Sequence, residues 1–207
     1  MSRDPIGELA DNSLMVFLGN DPLSRYDVNG LVSIEQCSSM LRKSHESDHV
    51  KTLIEKIRKK GCELPNEQCQ CCDENDILAA RFQIETRWFS KKTKILVCAK
   101  DIVSQYDMDN VMWHEMFHAY QECYDKSRKD KCRRHICREI EAFYTTTCSG
   151  YGFDEEARKE CVLNGVVAST TDECGNGKDK EAIKKRVRKL GKELYEHCKT
   201  INRPDSN

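Results

Sequence analysis

The sequence predicts an α+β fold that is mostly helical, with a small antiparallel sheet or hairpin packed on one apolar helix and further helices after it. Three observations carry this expectation. Apolar residues return at helical spacing in several separate stretches. Two short stretches that read as strands lie side by side before the centre. The central stretch Val111–Tyr120 carries two histidines and a glutamate among large apolar residues.

Residues 1–33 are rich in turn formers (Pro5, Gly7, Gly19, Pro22, Gly30) and show no period, so they read as a flexible tail. Val50, Leu53, Ile54 and Ile57 then mark a helix, and Gly61, just beyond Lys59 and Lys60, is placed to cap its C-terminus. From Cys62 to Asp76 the chain is polar and cysteine-dense, which reads as a loop tethered by disulfides around Cys69-Gln-Cys-Cys72. A zinc knuckle there would need a second CxxC or a histidine pair at finger spacing, and none follows. Strands are expected over about residues 77–86 and 93–99, joined as a hairpin through residues 87–92. Asp107 or Asp109 is placed to cap the central helix. Three more helices are expected over about 131–147, 153–169 and 180–198. The third of these carries the apolar stripe Ile183, Val187, Leu190, Leu194 and a basic face of Lys184, Lys185, Arg186, Arg188, Lys189 and Lys192. The basic run from Lys126 to Arg134 reads as a solvated face. The expected organisation is a tail over 1–33, one domain over 34–200 and a short tail over 201–207.

Composition bounds the function. The chain has 207 residues, enough for one domain with a real core, and a formal net charge of −1, which gives no electrostatic case for nucleic acid. Apolar runs are too short to span a bilayer. The opening residues lack the basic-then-apolar plan of a secretory signal, and Asp4, Glu8 and Asp11 make them too acidic for an ordinary mitochondrial presequence. Thirteen cysteines spread over most of the chain favour a disulfide framework over a structural zinc site, and the odd count leaves at least one thiol unpaired. The spacing does not give the pairing. Disulfides without a secretory signal point to a compartment such as the mitochondrial intermembrane space.

His114-Glu-Met-Phe-His118 is an HExxH motif. On a helix, residues four apart share a face, so two imidazoles converge on one point, where their neutral nitrogens suit zinc. Glu115 sits one step round the helix, within reach of a water on the metal, where a carboxylate serves as general base. Met112, Trp113, Phe117 and Tyr120 would bury this helix, and burying three polar side chains is costly unless a metal gathers them. The expected fold is therefore zincin-like, with an edge strand beside the metal on which an extended substrate can add as one more strand.

A catalytic zinc takes three protein ligands and keeps one position open. Glu139 and Glu141, on the next helix, are both candidates for the third and point to different faces. Glu122 extends the row of His114 and His118, but three ligands on successive turns of a straight helix converge poorly on one ion. Cys123 and His135 are weaker candidates.

With these residues placed, the chain resembles the mitochondrial inner membrane metalloproteases that mature the ATP synthase subunit a precursor. The resemblance runs from about Cys37 to Cys198 and rests on an ordered set: Val50-Lys-Thr-Leu-Ile-Glu55, Gly61-Cys62, Cys69 to Cys72, Ile95 to Ala99, Val111 to Tyr120, Cys137-Arg-Glu-Ile-Glu-Ala142, Cys148, Glu160-Cys-Val162 and Cys198. It implies a zinc endopeptidase with peripheral attachment to the inner membrane on its intermembrane-space side. It implies a precursor-protein substrate and a further role in assembling the ATP synthase membrane sector. The family's Glu-Ile pair falls on Glu139-Ile140, which favours Glu139 as third ligand. The chain departs from the family pattern at Gln121, where the family has Asp, at Glu141, where it commonly has Arg, and at Ala80-Arg-Phe-Gln83, where it has Gly-Gly-Phe-Asp.

Two function classes follow. One is an active zinc endopeptidase with Glu115 as base. The other is a non-catalytic assembly chaperone for a membrane-protein client, its zinc site structural or vestigial. A lipid-surface module built on the basic last helix is a third reading.

Overall fold

The structure, a computed structural model, describes residues 32–72, 79–87, 90–124, 131–151, 154–175 and 179–199. Residues 1–31 of the expected N-terminal tail, the C-terminal tail, the basic run over 126–130 and the tip of the hairpin at 88–89 lie outside these residues, while Val32 and Ser33, expected in the tail, belong to the fold, Val32 buried and Ser33 at the start of the first helix. The chain runs α1 (Ile34–Ser44), α2 (Asp48–Lys59), β1 (Asn66–Gln70), β2 (Ala80–Arg87), β3 (Ser90–Cys98), α3 (Gln105–Tyr124), α4 (Lys131–Thr145), α5 (Glu155–Cys174) and α6 (Lys180–Cys198). The mostly helical α+β class matches the expectation.

Helix α1 starts with a capping box. Ser33 Oγ accepts from the Gln36 N–H at 3.2 Å, and the Gln36 side chain accepts from the Ser33 N–H at 2.9 Å. The sequence reading missed this helix, although the Ser33–Gln36 spacing announces it. Helix α2 buries Val50, Leu53, Ile54 and Ile57. It ends in a Schellman motif: the Gly61 N–H reaches Arg58 O, the Cys62 N–H reaches Ile57 O, and Gly61 takes φ +74°.

The sheet corrects the expectation of a purely antiparallel one. Its order is β1-β3-β2; β2 and β3 form the expected antiparallel hairpin, while β1 joins β3 in parallel. Strand β1 lies in the stretch read as a loop. Its sequence Asn-Glu-Gln-Cys-Gln has no apolar alternation, so periodicity carries no signal there. Two side-chain ties hold it instead: the Cys37–Cys69 disulfide to α1, and a 2.6 Å hydrogen bond between His45 Nε2 and Glu67 Oε2.

Helix α3 begins earlier than expected. Ser104 is the cap, its hydroxyl oxygen accepting from the Asp107 N–H at 3.1 Å, which corrects the assignment to Asp107 or Asp109. Asp107 sits at the third helical position and accepts from the Ser104 hydroxyl at 2.6 Å. Asp154 and Asp179 cap α5 and α6 through the Ala157 and Ala182 N–H groups.

The apolar residues form two clusters. One gathers α1, α2, the sheet and α3 around Leu53, Ile95, Met112 and Phe117. The other gathers α4, α5 and α6 around Ile136, Ile140, Val166 and Tyr195. The disulfides respect this division. Cys37–Cys69, Cys62–Cys123 and Cys72–Cys98 lie within the first half, while Cys132–Cys174, Cys137–Cys198 and Cys148–Cys161 lie within the second. None crosses between them. A bridge closing a 61-residue separation, such as Cys62–Cys123, stabilises by about 4 kcal/mol in the chain-entropy account. Cys71, exposed, is the unpaired thiol. The halves meet along α3 and α4.

Candidate metal centre

The meeting of α3 and α4 is where the polar residues gather. His114 and His118 stand one turn apart on α3, and α4 presents Glu139 across from them. His118 Nε2 lies 3.1 Å from Glu139 Oε1, His114 Nε2 lies 3.6 Å from Glu139 Oε2, and the two Nε2 atoms are 3.2 Å apart. The three side chains are 9 to 14% exposed, so the point they face is nearly dry but reachable.

The hydrogen bonds behind the histidines assign their tautomers. Gln121 Nε2 donates to Glu141 Oε2 at 2.7 Å and to Arg138 O at 3.0 Å, which fixes the other end of that amide as oxygen. That oxygen accepts from His118 Nδ1–H at 2.9 Å. Thr146 Oγ1 gives its proton to Ala142 O at 2.6 Å and so accepts from His114 Nδ1–H at 3.2 Å. Each Nε2 therefore carries a lone pair, and the two lone pairs face each other. Glu139 Oε2 is buried with no hydrogen-bond partner. Two opposed imidazole lone pairs and an orphaned carboxylate oxygen fit a cation with nitrogen and oxygen preference, as zinc has. The three ligand atoms all lie within 4.8 Å of one another.

The electrostatics show that Glu139 draws positive charge to this point, a proton on His118 where no other cation is held. Burial works against the Glu139 carboxylate, but His118 and His114 beside it hold it well below the ordinary carboxylate range. Burial likewise disfavours a charged His118, and Glu139 and Glu115 more than offset it, raising its pKa. Glu115 lies on the same helix, with its carboxyl pushed up by burial and pulled down by the histidines and by a hydrogen bond from the Phe82 backbone.

That last contact ties the site to the sheet. The Cys98 N–H donates to Ala79 O, so the hydrogen-bonded pairs of the hairpin fall at odd positions of β2. Ala80, Phe82 and Ile84 therefore turn their N–H and C=O groups away from β3, toward the open edge. Phe82 uses its N–H on Glu115, and its ring lies 6.4 Å from that of His118.

The structure separates the other ligand candidates from the cluster. Glu141 is 3% exposed and accepts from Gln121. Glu122 pairs with Arg138 Nη1 at 2.8 Å, and Cys123 is bonded to Cys62. His135 is not among the residues that converge. Sequence reasoning connected the departures at Gln121 and Glu141 with the support of the metal but gave neither a partner. Thr146 carries no motif signal, and Arg138 appeared only as part of the Cys137–Ala142 stretch. Arg138 binds three groups at once: Glu122, His118 O at 3.0 Å and Gln121 Oε1 at 3.4 Å.

Comparison with known proteins gives a family. The family model described as "Peptidase M76 family" matches residues 35–204. The chain is 28% identical over 113 residues to the mouse (Mus musculus) protein named mitochondrial inner membrane protease ATP23 homolog, covering 52% of each. It is 27% identical over 93 residues to the human (Homo sapiens) protein of the same name, covering 44% of this chain and 35% of that one. The match thus spans about half the length of the mouse relative and less of the human one. No solved structure matches.

Proposed function

The chain belongs to the peptidase M76 family, and on that premise we propose that it is a zinc-dependent endopeptidase in a zincin-like arrangement, with His114, His118 and Glu139 as metal ligands and Glu115 as general base. The observation that carries this reading is the convergence of both Nε2 lone pairs and the orphaned Glu139 oxygen beside a buried Glu115. A zinc ion held there supplies Lewis acidity, lowering the pKa of a water and polarising a substrate carbonyl.

The protein's own residues supply the rest. Thr146 and Gln121 hold the imidazoles in the tautomer that turns Nε2 inward. Glu115 takes the proton of the attacking water on its carboxylate and returns it to the leaving amine. Ile84, 40% exposed on the β2 edge, offers a backbone N–H and C=O on which an extended peptide adds as a further strand, bringing its scissile bond past Glu115.

The mouse and human relatives are named as mitochondrial inner membrane proteases. By that likeness, and by the resemblance read from the sequence, the substrate is a precursor protein, with ATP synthase subunit a as the first to test. The location is then the inner membrane, attached peripherally on the intermembrane-space side. Six disulfides accord with an oxidising compartment, and no helix of the described residues is long and apolar enough to cross a membrane. The test is elemental analysis of purified protein and of His118→Ala, followed by peptide cleavage. About one zinc per chain, lost in the variant, with cleavage by the wild type alone, is expected. Zinc without cleavage, together with client assembly that survives in Glu115→Gln, would favour the non-catalytic chaperone.

A further inference from the structure

Helix α6 buries Val187, Gly191, Leu194, Tyr195 and Cys198 against the other helices of its half. Its outer face is exposed and basic. Lys185, Lys189 and Lys192 follow at helical spacing, Arg186 stands beside them, and all four are exposed. Neighbouring charges are already engaged: Lys184 with Glu181, Arg188 with Glu160 and Asn164, and Lys199 with Glu155 and Glu196. Among the described residues no carboxylate pairs with the four outer cations; Glu193 stands among them, while Glu181, one turn before Lys185, and Glu196, one turn after Lys192, are engaged by Lys184 and Lys199. Like charges at this spacing cost a helix about 0.2 to 0.5 kcal/mol per pair, a repulsion that an anionic surface would relieve.

We propose that this face of α6 is the surface by which the protein docks on an anionic lipid bilayer. The inference rests on the inner-membrane location proposed above and names the surface that makes the attachment. A bilayer of anionic headgroups is a broad, flat array of negative charge, complementary to a straight row of lysines. Nucleic acid fits less well, because the face carries no aromatic ring on which a base could stack and the chain as a whole is not basic. With no helix of the described residues able to cross a membrane, attachment through surface charge is a mode these residues support.

The test uses the oxidised full chain with vesicles of phosphatidylcholine containing cardiolipin, and vesicles of phosphatidylcholine alone. Co-sedimentation with the anionic vesicles only, weakening as salt is raised, is expected. The triple variant Lys185→Gln, Lys189→Gln, Lys192→Gln should bind about a hundredfold less, at about fivefold per cation. Its zinc content and its cleavage of a soluble peptide should stay at wild-type levels, so a failure of docking and a failure of the peptidase reading are told apart. Unweakened binding by the variant, wild-type binding to neutral vesicles as strong as to anionic ones, or equal retention on DNA would overturn the proposal. Should the variant misfold by circular dichroism, each single Lys→Gln change takes its place, with a fivefold loss as the expected reading and no loss as the refuting one.

Discussion

His118 and Gln121 stand one helical turn apart on α3, and the Gln121 side-chain oxygen accepts the His118 Nδ1 proton at 2.9 Å. Where the family it resembles has Asp after His-Ala-Tyr, this chain places an amide. The amide is itself held by Glu141 and Arg138, so the departures at positions 121 and 141 form one hydrogen-bonded unit. Removing that orientation typically costs tenfold to a hundredfold in metal affinity. Gln121→Leu should lose zinc affinity by about that factor while keeping its fold, measured by competition with a chromophoric chelator. An unchanged affinity would show that Gln121 only fills space.

Glu139 and Glu141 give a sharp contrast. Glu139→Ala removes a proposed ligand and should lose stoichiometric zinc. Glu141→Ala leaves the three converging atoms in place and should retain zinc with a weaker hold on Gln121. Glu115→Gln should retain zinc and lose about two to four orders of magnitude in kcat. Elemental analysis and peptide cleavage on the three variants separate ligand from base. Zinc retained in Glu139→Ala would refute the ligand assignment.

How far the sequence alone reached depends on what each feature leaves in one dimension. His114 and His118 are legible because a helix converts a four-residue spacing into a shared face. The row Val187, Leu194 of α6 is legible for the same reason. The choice of Glu139 over Glu141 came from the family's Glu-Ile pair and not from spacing, since both sit on α4 and both reach α3, Glu139 toward the histidines and Glu141 toward Gln121. Which face of α4 meets α3 depends on the packing of Ile136, Ile140 and Tyr144 and on the Cys132–Cys174 and Cys137–Cys198 bridges, whose partners no local pattern reveals. Strand β1 escaped because its pairing with β3 is non-local and its residues are polar. Thr146 escaped because a threonine at a helix end means nothing until His114 is seen across from it.

Metal removal should loosen the protein along one seam. Each half is cross-linked internally and no disulfide joins them, so His114, His118 and Glu139 straddle the boundary that the covalent framework leaves open. Bound at a hundred to a thousand times its Kd, zinc would stabilise the joined state by about 3 to 4 kcal/mol. Hydrogen exchange with and without a chelator should show α3 and α4 losing protection along their contact while the two apolar clusters keep theirs. Uniform loss throughout would mean the metal holds the whole fold.

The His45–Glu67 pair should make stability depend on pH. Its hydrogen bond to Glu67 raises the His45 pKa, partly opposed by burial. A raised folded-state pKa means the contribution is fully present below the unfolded value of about 6.5 and is lost as pH rises through the folded value. Denaturant unfolding of wild type and His45→Gln across that range should show the gap between them closing as pH increases. A gap that stays constant or widens would rule the pair out as the source.

Gly165 on α5 should prove a structural determinant of the metal centre, though it touches no ligand. A Cβ built there would stand 2.6 Å from the Phe143 ring, closer than packed atoms approach. That ring also lies 4.4 Å from the His114 ring, centroid to centroid, so Phe143 contacts both a bare backbone and a proposed ligand. Gly165→Ala must therefore move the Phe143 ring, and with it the contact to His114, or spread α5 from α4. Overpacking of this kind costs about 1 to 3 kcal/mol, more than the helix propensity gained from alanine. If the ring moves, zinc affinity falls along with stability; if the helices spread, stability alone falls. The double variant Gly165→Ala, Phe143→Leu makes room for the added methyl and should recover zinc affinity lost by the first route. Thermal unfolding and chelator competition on the single and double variants decide between them, and a Gly165→Ala protein as stable as wild type would show that this contact relaxes freely.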